Sequence, residues 1–525
     1  MSVHPAIFLF SGIIASYLPI GYGKKLLGLL AGGLCLLAIL LRPETFTSTV
    51  SYLTFELTWL EIDPVNNAYA LIFAIFGFLA LCFSYKYVDA RLFRRFLFYV
   101  ASTIMLVHAG DFLTFYLSWE LMSISAFFVI SYGVSSRARR AGVYYFLFHV
   151  TGGVSLLFGI FLQYQGTGSL AVQMVSYGQP FFVYAVLVKV AALGLHFWLP
   201  RAYTAAPFTA SVFMASITTK AGVYALYRLL EINLLAYVGV AMALGGVLLA
   251  LKQSRMRRLL SYHVISQVGY MVTGVAAGTT VSILGGNMHV INHILYKGLL
   301  FMVAGVVINV TGGRENLARM GRPLGRQIPL TAITGVIASL AIAGVPPFNG
   351  FVSKMVIKSG VESTVIEYGL LLAGVGTMLS FLKFGYYGFF APRDENIELE
   401  NSVPWLAKFA MAASAFLIVL LGVNLNVYDL FLETNGLIPE VYSFSYLFDG
   451  LQPPILAVIL FLVLHKYFTP HAPDHVKLHD PFIIIFNKFR RAATAISKLH
   501  TGRVPRYMNW LIAGIIIYLA LIIII

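Results

Sequence analysis

Apolar runs separated by short polar punctuation fill this chain from end to end. Stretches long enough to cross a bilayer, about 17–25 residues each, recur near 5–20, 26–41, 65–85, 93–109, 112–133, 142–164 and 180–199. They continue near 208–230, 234–251, 258–277, 281–311, 328–358, 366–391, 404–423, 453–467 and 508–525. The pattern predicts an all-α polytopic membrane protein with about sixteen transmembrane helices. Two segments are interrupted: WLPRAYTAAP, with Pro200 and Pro207, follows the seventh, and AGVPPFNG at 343–350 lies inside the twelfth. Helices 7 and 12 are therefore expected to be discontinuous. The first segment lacks a cationic leader and reads as a retained span rather than a cleavable signal.

Before the last segment, PFIIIFNKFRRAATAISKLHTG sets Phe482, Ile485, Phe486, Phe489, Ala493 and Ile496 on one helical stripe, with Lys488, Arg491 and Lys498 elsewhere. This predicts an interfacial amphipathic helix, the alternative being a basic loop that is periodic by chance. At 1.5 Å per residue, roughly 20–25 residues would reach about 35 Å.

Charge tests the span count. Lys24–Lys25, Lys86 to Arg95, Arg137 to Arg140, Arg201, Lys252 to Arg258, Arg314 to Arg326, Arg393 and Lys466 to Arg506 all fall after odd-numbered spans. The other side holds Arg42, Arg228 and Lys358, and carries Glu44, Glu56, Glu61, Asp63, Asp429, Glu433, Glu440 and Asp449. By the positive-inside rule both termini should face outward, in the plasma (inner) membrane. The net charge of +15 is then topological, and no nucleic-acid partner is expected. With 59% hydrophobic and 11% charged residues, a soluble domain is excluded. Cys35 and Cys82 sit inside apolar runs, which argues against a disulfide framework or an iron–sulfur site. His471, His475 and His479 have helical ligand spacing, but Pro470 and Pro473 interrupt that helix. A solvated loop is expected there rather than a metal site, and no cofactor is expected anywhere.

The chemistry gathers in spans five to twelve. Lys189 and Lys220 bracket the broken stretch, and Lys297 in NHILYKGLLF and Lys354 in GVPPFNGFVSK lie in equally apolar surroundings. A charge in hydrocarbon costs several kcal/mol unless it faces a paired or wet interior, so each lysine is a functional candidate. Glu120 in FYLSWELMSIS is a lone intramembrane carboxylate. Its structural reading is a carboxyl bonded to a neighbouring helix, and its functional reading a switching pair with Lys189. Burial disfavours charge on both, and proximity favours it. His289, His293 and Lys297 share one helical face, and His263 lies in the preceding span. Histidine exchanges protons near neutral pH, which suggests a relay, whereas His149 and His196 are isolated and read more simply as satisfied core histidines.

These motifs resemble the antiporter-like, proton-conducting membrane subunits shared by complex I, Mrp antiporters (subunits A and D) and membrane-bound hydrogenases. The resemblance covers nearly the whole chain: IDPVNNAYALIFAIFGFLALCFSYKYV, WELMSIS, LHFWLPRAYTAAPFTASVFMASITTKAGVYALYR, NHILYKGLLFMVAG and AGVPPFNGFVSK. It implies two inverted five-helix repeats, at 93–230 and 231–391. Three spans precede them in 1–92, and spans 14–15 follow in 392–467. A short lateral amphipathic helix in 468–507 and a last span in 508–525 complete the chain. It further implies Glu120 and Lys189 as a coupling pair, Lys220 as the next relay, and His289, His293 and Lys297 as a hydrated central axis. Lys354 would then serve the exit half-channel. The chain departs from the family at Arg201 and Tyr203, where an acidic residue and a His are usual after the Trp-Leu-Pro, and at Gln253, where an Asp is usual. The implied function is a non-redox, proton- or Na+-coupled pumping subunit of a respiratory or hydrogenase-type complex, partnered by other membrane subunits. The alternatives are a subunit of a Na+/H+ antiporter or of a bicarbonate-uptake system without electron transfer, or an inert membrane anchor.

Overall fold

Polar residues between the apolar runs start and stop the helices. The computed structural model describes residues 3–470 except 19–22, 44, 53–54, 134 and 394–396, together with 482, 484, 488 and 491. Helices α1 (Ala6–Ala15) and α2 (Gly23–Leu40) lead into strands β1 (Phe46–Tyr52) and β2 (Phe55–Ile62). Next come α3 (Pro64–Ser84), α4 (Ala90–Val107), α5 (Phe112–Ile130), α6 (Ser136–Thr167), α7 (Gln179–Lys189) and α8 (Trp198–Ala205). The middle of the chain forms α9 (Phe208–Leu229), α10 (Leu234–Leu251), α11 (Met256–Ala276), α12 (Thr280–Val310) and the short α13 (Arg322–Gln327). The rest is α14 (Pro329–Ala343), α15 (Asn349–Ser359), α16 (Thr364–Gly385), α17 (Trp405–Val423) and α18 (Phe444–Phe468). Asp63 caps α3 reciprocally with Asn66, and Asp89, Asp111, Ser135 and Thr279 cap α4, α5, α6 and α12. Each satisfies amides that a helix start leaves without partners.

Apart from α8 and α13, which lie mostly or wholly between them, these helices overlap the apolar segments read from the sequence up to residue 467. Among the described residues, nine are long and apolar enough to cross a membrane. The segment 508–525, the histidines at 471, 475 and 479, and most of the expected lateral helix lie outside the described residues. By its internal contacts the chain divides into Met1–Val476 and Lys477–Ile525. In the second unit the described residues Phe482, Ile484, Lys488 and Arg491 are helical.

The fold differs from the all-α expectation at β1 and β2, an antiparallel hairpin with a register break between Ser48 and Val50. FTSTVSY and FELTWLEI are rich in β-branched and aromatic residues, which favour a pleated, half-buried surface. Trp59 Nε1 donates to Ser48 Oγ across the pair at 3.1 Å. Pro207 interrupts the chain as expected, between α8 and α9, but the break in span seven itself lies elsewhere. It occupies 190–197, where Ala191 and Gly194 take positive φ values of 58° and 92°. Pro200 sits instead in the first turn of α8, where a missing amide costs nothing. The break in span twelve falls where the prolines put it, between α14 and α15.

Contacts between connections sort the loops onto two ends. At one, the amide of Gly110 donates to Thr58 O (2.9 Å), that of Phe112 to Leu170 O (2.7 Å) and that of Val175 to Leu229 O (3.0 Å). Thr279 Oγ1 donates to Gly360 O there (2.7 Å). This is the cation-poor end, where Arg228 pairs with Asp63 at 2.6 Å. At the other, Lys25 Nζ donates to Tyr85 O (2.6 Å) and Arg257 Nη1 to Ala206 O (2.8 Å). The amide of Met256 donates to Glu315 O (2.9 Å) and that of Arg322 to Ala391 O (2.8 Å). The core is α12, 94% buried over its most apolar stretch and packed by α3, α9, α11, α14, α15 and α17. Close approach of α10 and α11 depends on small residues: a Cβ on Gly269 would lie 2.4 Å from Gly239 O, and one on Gly246 2.5 Å from Ser266 N.

Candidate functional site

The two broken helices each present a lysine at the break. Lys189 is the last residue of α7, and Lys354 lies in the second turn of α15, just beyond its break. Backbone groups freed inside a membrane protein need internal partners, and the surrounding side chains provide them. Trp198 Nε1 donates to Val188 O at 3.1 Å. Asn292 Nδ2 donates to Asn349 O at 2.8 Å and is itself held through Oδ1 by the hydroxyl of Tyr428 at 2.8 Å. Lys354 Nζ donates to Ile342 O at 2.7 Å, placing a cation on the negative end of the α14 dipole.

Around Lys189 the arrangement is compact. Its Nζ donates to Ser123 Oγ at 2.9 Å and lies 4.2 Å from the centre of the Trp119 ring. Glu120, one residue along α5, turns its carboxyl toward α6, where a Cβ on Gly153 would meet Oε1 at 1.8 Å. That oxygen is buried and makes no hydrogen bond to any described residue. Glu120 and Lys189 thus stand within electrostatic range without forming an ion pair, because Ser123 and Trp119 already hold the ammonium. Gly222 of α9 brings that helix against Lys189, with a hypothetical Cβ 3.0 Å from the lysine Cβ.

A second group gathers around α12. Lys220, His263, His289, His293 and Lys297 are fully buried and Lys354 is 8% exposed, so none is turned to lipid. His289 is the hub: Nδ1 meets Ser353 Oγ at 2.9 Å, and Nε2 meets Gln267 Oε1 at 3.3 Å and the Tyr296 hydroxyl at 3.2 Å. All three partners can accept, so the ring can take a second proton without losing a hydrogen bond. Gln267 Nε2 continues the network to Thr377 Oγ1 at 3.5 Å. Lys297 Nζ donates to Leu260 O at 3.3 Å and lies over the Phe381 ring at 5.6 Å. His263 packs against that same ring with centroids 4.8 Å apart. Lys220 donates to Ala215 O of its own helix. The ring nitrogens of His263 and His293 are buried and find no hydrogen-bond partner among the described residues.

Two groups were undervalued by sequence reading. His149 is no isolated core histidine: it stacks on Tyr145 with centroids 3.9 Å apart, meets Trp198 edge-on at 4.6 Å, and lies within electrostatic range of Lys189. Its spacing from Tyr145, one helical turn, was the available signal. Lys383, buried in α16, donates to Leu251 O at 3.0 Å, and its apolar surroundings are the same signal that singled out the other lysines. His196 belongs to the break, where Nδ1 accepts from the Gly194 amide at 3.3 Å. Where the chain departs from the family pattern, Arg201 lies over Tyr144 (4.8 Å), the Tyr203 hydroxyl donates to Met214 O (2.8 Å), and Gln253 Nε2 donates to Leu249 O (2.9 Å).

The fold and the site together define a helical membrane protein whose interior carries a file of buried lysines and histidines between two broken helices. Residues 109–380 match the family described as NADH:quinone oxidoreductase/Mrp antiporter, TM. The chain belongs to that family. It is similar to NADH-quinone oxidoreductase subunit N of Desulforudis audaxviator, 31% identical over 367 residues, 63% of this chain and 72% of that one. It is also similar to a Na(+)/H(+) antiporter subunit of Alkalihalophilus pseudofirmus, 27% identical over 409 residues, 70% of this chain and 82% of that one. The fold matches a chain of the membrane-bound sulfane sulfur reductase, an archaeal respiratory membrane complex, with a TM-score of 0.78 at 22% identity over 98% of this chain and 99% of that one.

Proposed function

We propose that this protein is a proton-translocating antiporter-like subunit of a multi-subunit respiratory or hydrogenase-type redox complex, moving protons, or protons coupled to Na+, within the membrane. The observation that carries the reading is electrostatic. Among the described residues Lys189, Lys220, Lys297 and Lys354 are buried and none forms an ion pair. Buried charges without partners are too costly to be kept for stability, and in membranes they mark ion pathways. The proton enters at Glu120 and Lys189, whose separated side chains leave room to switch between apart and paired. It passes to Lys220, then by His263, His289, His293 and Lys297 to Lys354. Water serves the intermediate hops, and the partnerless nitrogens of His263 and His293 are where it would bind. In this reading 93–230 and 231–391 are inverted repeats, each contributing one broken helix. The full chain has about sixteen spans with both termini outside, 468–507 runs along the interface, and other membrane subunits and lipid surround it.

Replacing Glu120 with Gln, or Lys189 with Ala, is expected to abolish translocation in the reconstituted complex while assembly on native gels is retained. Full pumping by an assembled Glu120→Gln complex would overturn the switching pair. A second reading is favoured by the likeness to an antiporter subunit: the same axis, driven by a cation gradient without electron transfer. Dependence of transport on added Na+ alone, with no electron donor, would select it.

A further inference from the structure

Beyond Lys354 the interior opens. A cavity of about 50 Å³ lies between α15, α16 and α18, lined by Tyr270, Lys354, Met355, Lys358, Glu367 and Asp449 among others, and it is large and polar enough to hold water. Lys354 sits at its inner end, 5.0 Å from the centre of the Tyr270 ring. Its outer end is occupied by an ion-pair cluster: Lys358 Nζ reaches Asp449 Oδ2 at 2.9 Å and Glu367 Oε1 at 3.1 Å. Lys354 and Lys358 are one turn apart on the same face of α15. The three charged residues come from three helices, and all are partly exposed. Lys358 adjoins the 360–363 connection, which Thr279 ties to the cation-poor end.

We propose that, at the outlet of the axis, Glu367 and Asp449 are the carboxylates that carry the proton from Lys354 through this cavity to the cation-poor face, with Lys358 bridging the two. The inference rests on the translocation reading. One cation against two anions leaves a net negative charge at the mouth, which draws a proton out of the interior toward the carboxylates. In the step itself an N–H bond of the Lys354 ammonium breaks and, through cavity water, an O–H bond forms on one carboxylate. Lys354 is left a neutral amine. The carboxyl, now uncharged, loosens from Lys358 and gives its proton to bulk water, which restores the ion pair. Lys358 bridges the two carboxylates and positions them at the mouth rather than carrying the proton.

Accessibility tests the outlet independently of transport. Met355 lines the cavity and is 8% exposed, while Cys35 and Cys82 are buried, so Met355→Cys adds one cavity-facing thiol to this chain, read as the labelling of this subunit above that of the unsubstituted complex. In the assembled complex in oriented membrane vesicles, a membrane-impermeant maleimide should modify it faster from the cation-poor face than from the other. Equal or slower modification from that face overturns the outlet. In the same complex, Glu367→Gln combined with Asp449→Asn should lower translocation more than threefold at unchanged abundance on native gels, and a smaller loss overturns the carrier role. If that variant fails to assemble, the single Glu367→Gln change is measured against the same threshold. Unimpaired translocation by Lys354→Met would instead remove the axis reading while leaving the accessibility result standing.

Discussion

A lysine inside a membrane protein is kept either because it is paired or because it works, and the two cases predict opposite effects of removing it. Lys220 is fully buried, donates to a carbonyl of its own helix, and forms no ion pair among the described residues. Replacing it with Met removes a desolvated charge at nearly constant volume and leaves no partner charge uncompensated, so stability should be unchanged or raised. Lys220→Met is therefore expected to leave the melting temperature of the detergent-solubilised complex unchanged or raised while abolishing translocation. A fall in melting temperature with transport intact would make Lys220 structural. At this scale the sequence was informative because cost is visible in it: Lys189, Lys220, Lys297 and Lys354 stand out against their apolar neighbours whatever the fold. Partners were not visible. Ser123 and Trp119 on Lys189, or Ser353 and Gln267 on His289, come from other helices, and nothing in the spacing of one segment says which neighbour will reach it.

Helix breaks show the same division among elements. The α14–α15 break was legible because Pro346 and Pro347 cannot continue a helix. The break after Lys189 was misplaced because it depends on Ala191 holding a left-handed conformation, one that residues other than Gly and Asn adopt only where their surroundings enforce it. The hairpin at 46–62 escaped because hydropathy windows tuned to spans pass over alternating Thr, Val and aromatic residues. Breaks also demand close packing. A Cβ on Gly422 of α17 would lie 2.0 Å from Pro347 O, with Asn349 N at 2.8 Å, both rigid backbone atoms. Gly422→Ala should displace the α14–α15 connection and destabilise the protein by about 1–3 kcal/mol. The check is a lowered melting temperature together with reduced complex yield, and unchanged values of both would show that α17 does not brace the break. Trp198→Phe removes the indole donor while the Ala191 amide still donates to Val188 O at 3.2 Å, and should cost about 0.5–1.5 kcal/mol by the same measurement.

For the whole molecule, charge asymmetry and loop contacts agree. Residues sorted by span parity in the sequence meet one another at two ends of the fold, with Arg228 and Lys358 answered by acids at the cation-poor end. The long, exposed apolar side chains of α2 and α18, such as Leu30, Leu34, Leu462 and Val463, suit contact with lipid or neighbouring subunits. The basic, amphipathic stretch after α18 is expected to clamp the complex laterally, so truncation after Lys466 should lose the complex from native gels. Full assembly and normal pumping by the truncated chain would make that stretch dispensable. Proton movement along the buried file is tested most directly by translocation in proteoliposomes containing the assembled complex with Lys354→Met. Lys354 joins the file to the cavity, and Met keeps its volume without its proton. Blocked translocation in a normally assembled complex is the expected result, and translocation at the wild-type rate would contradict it.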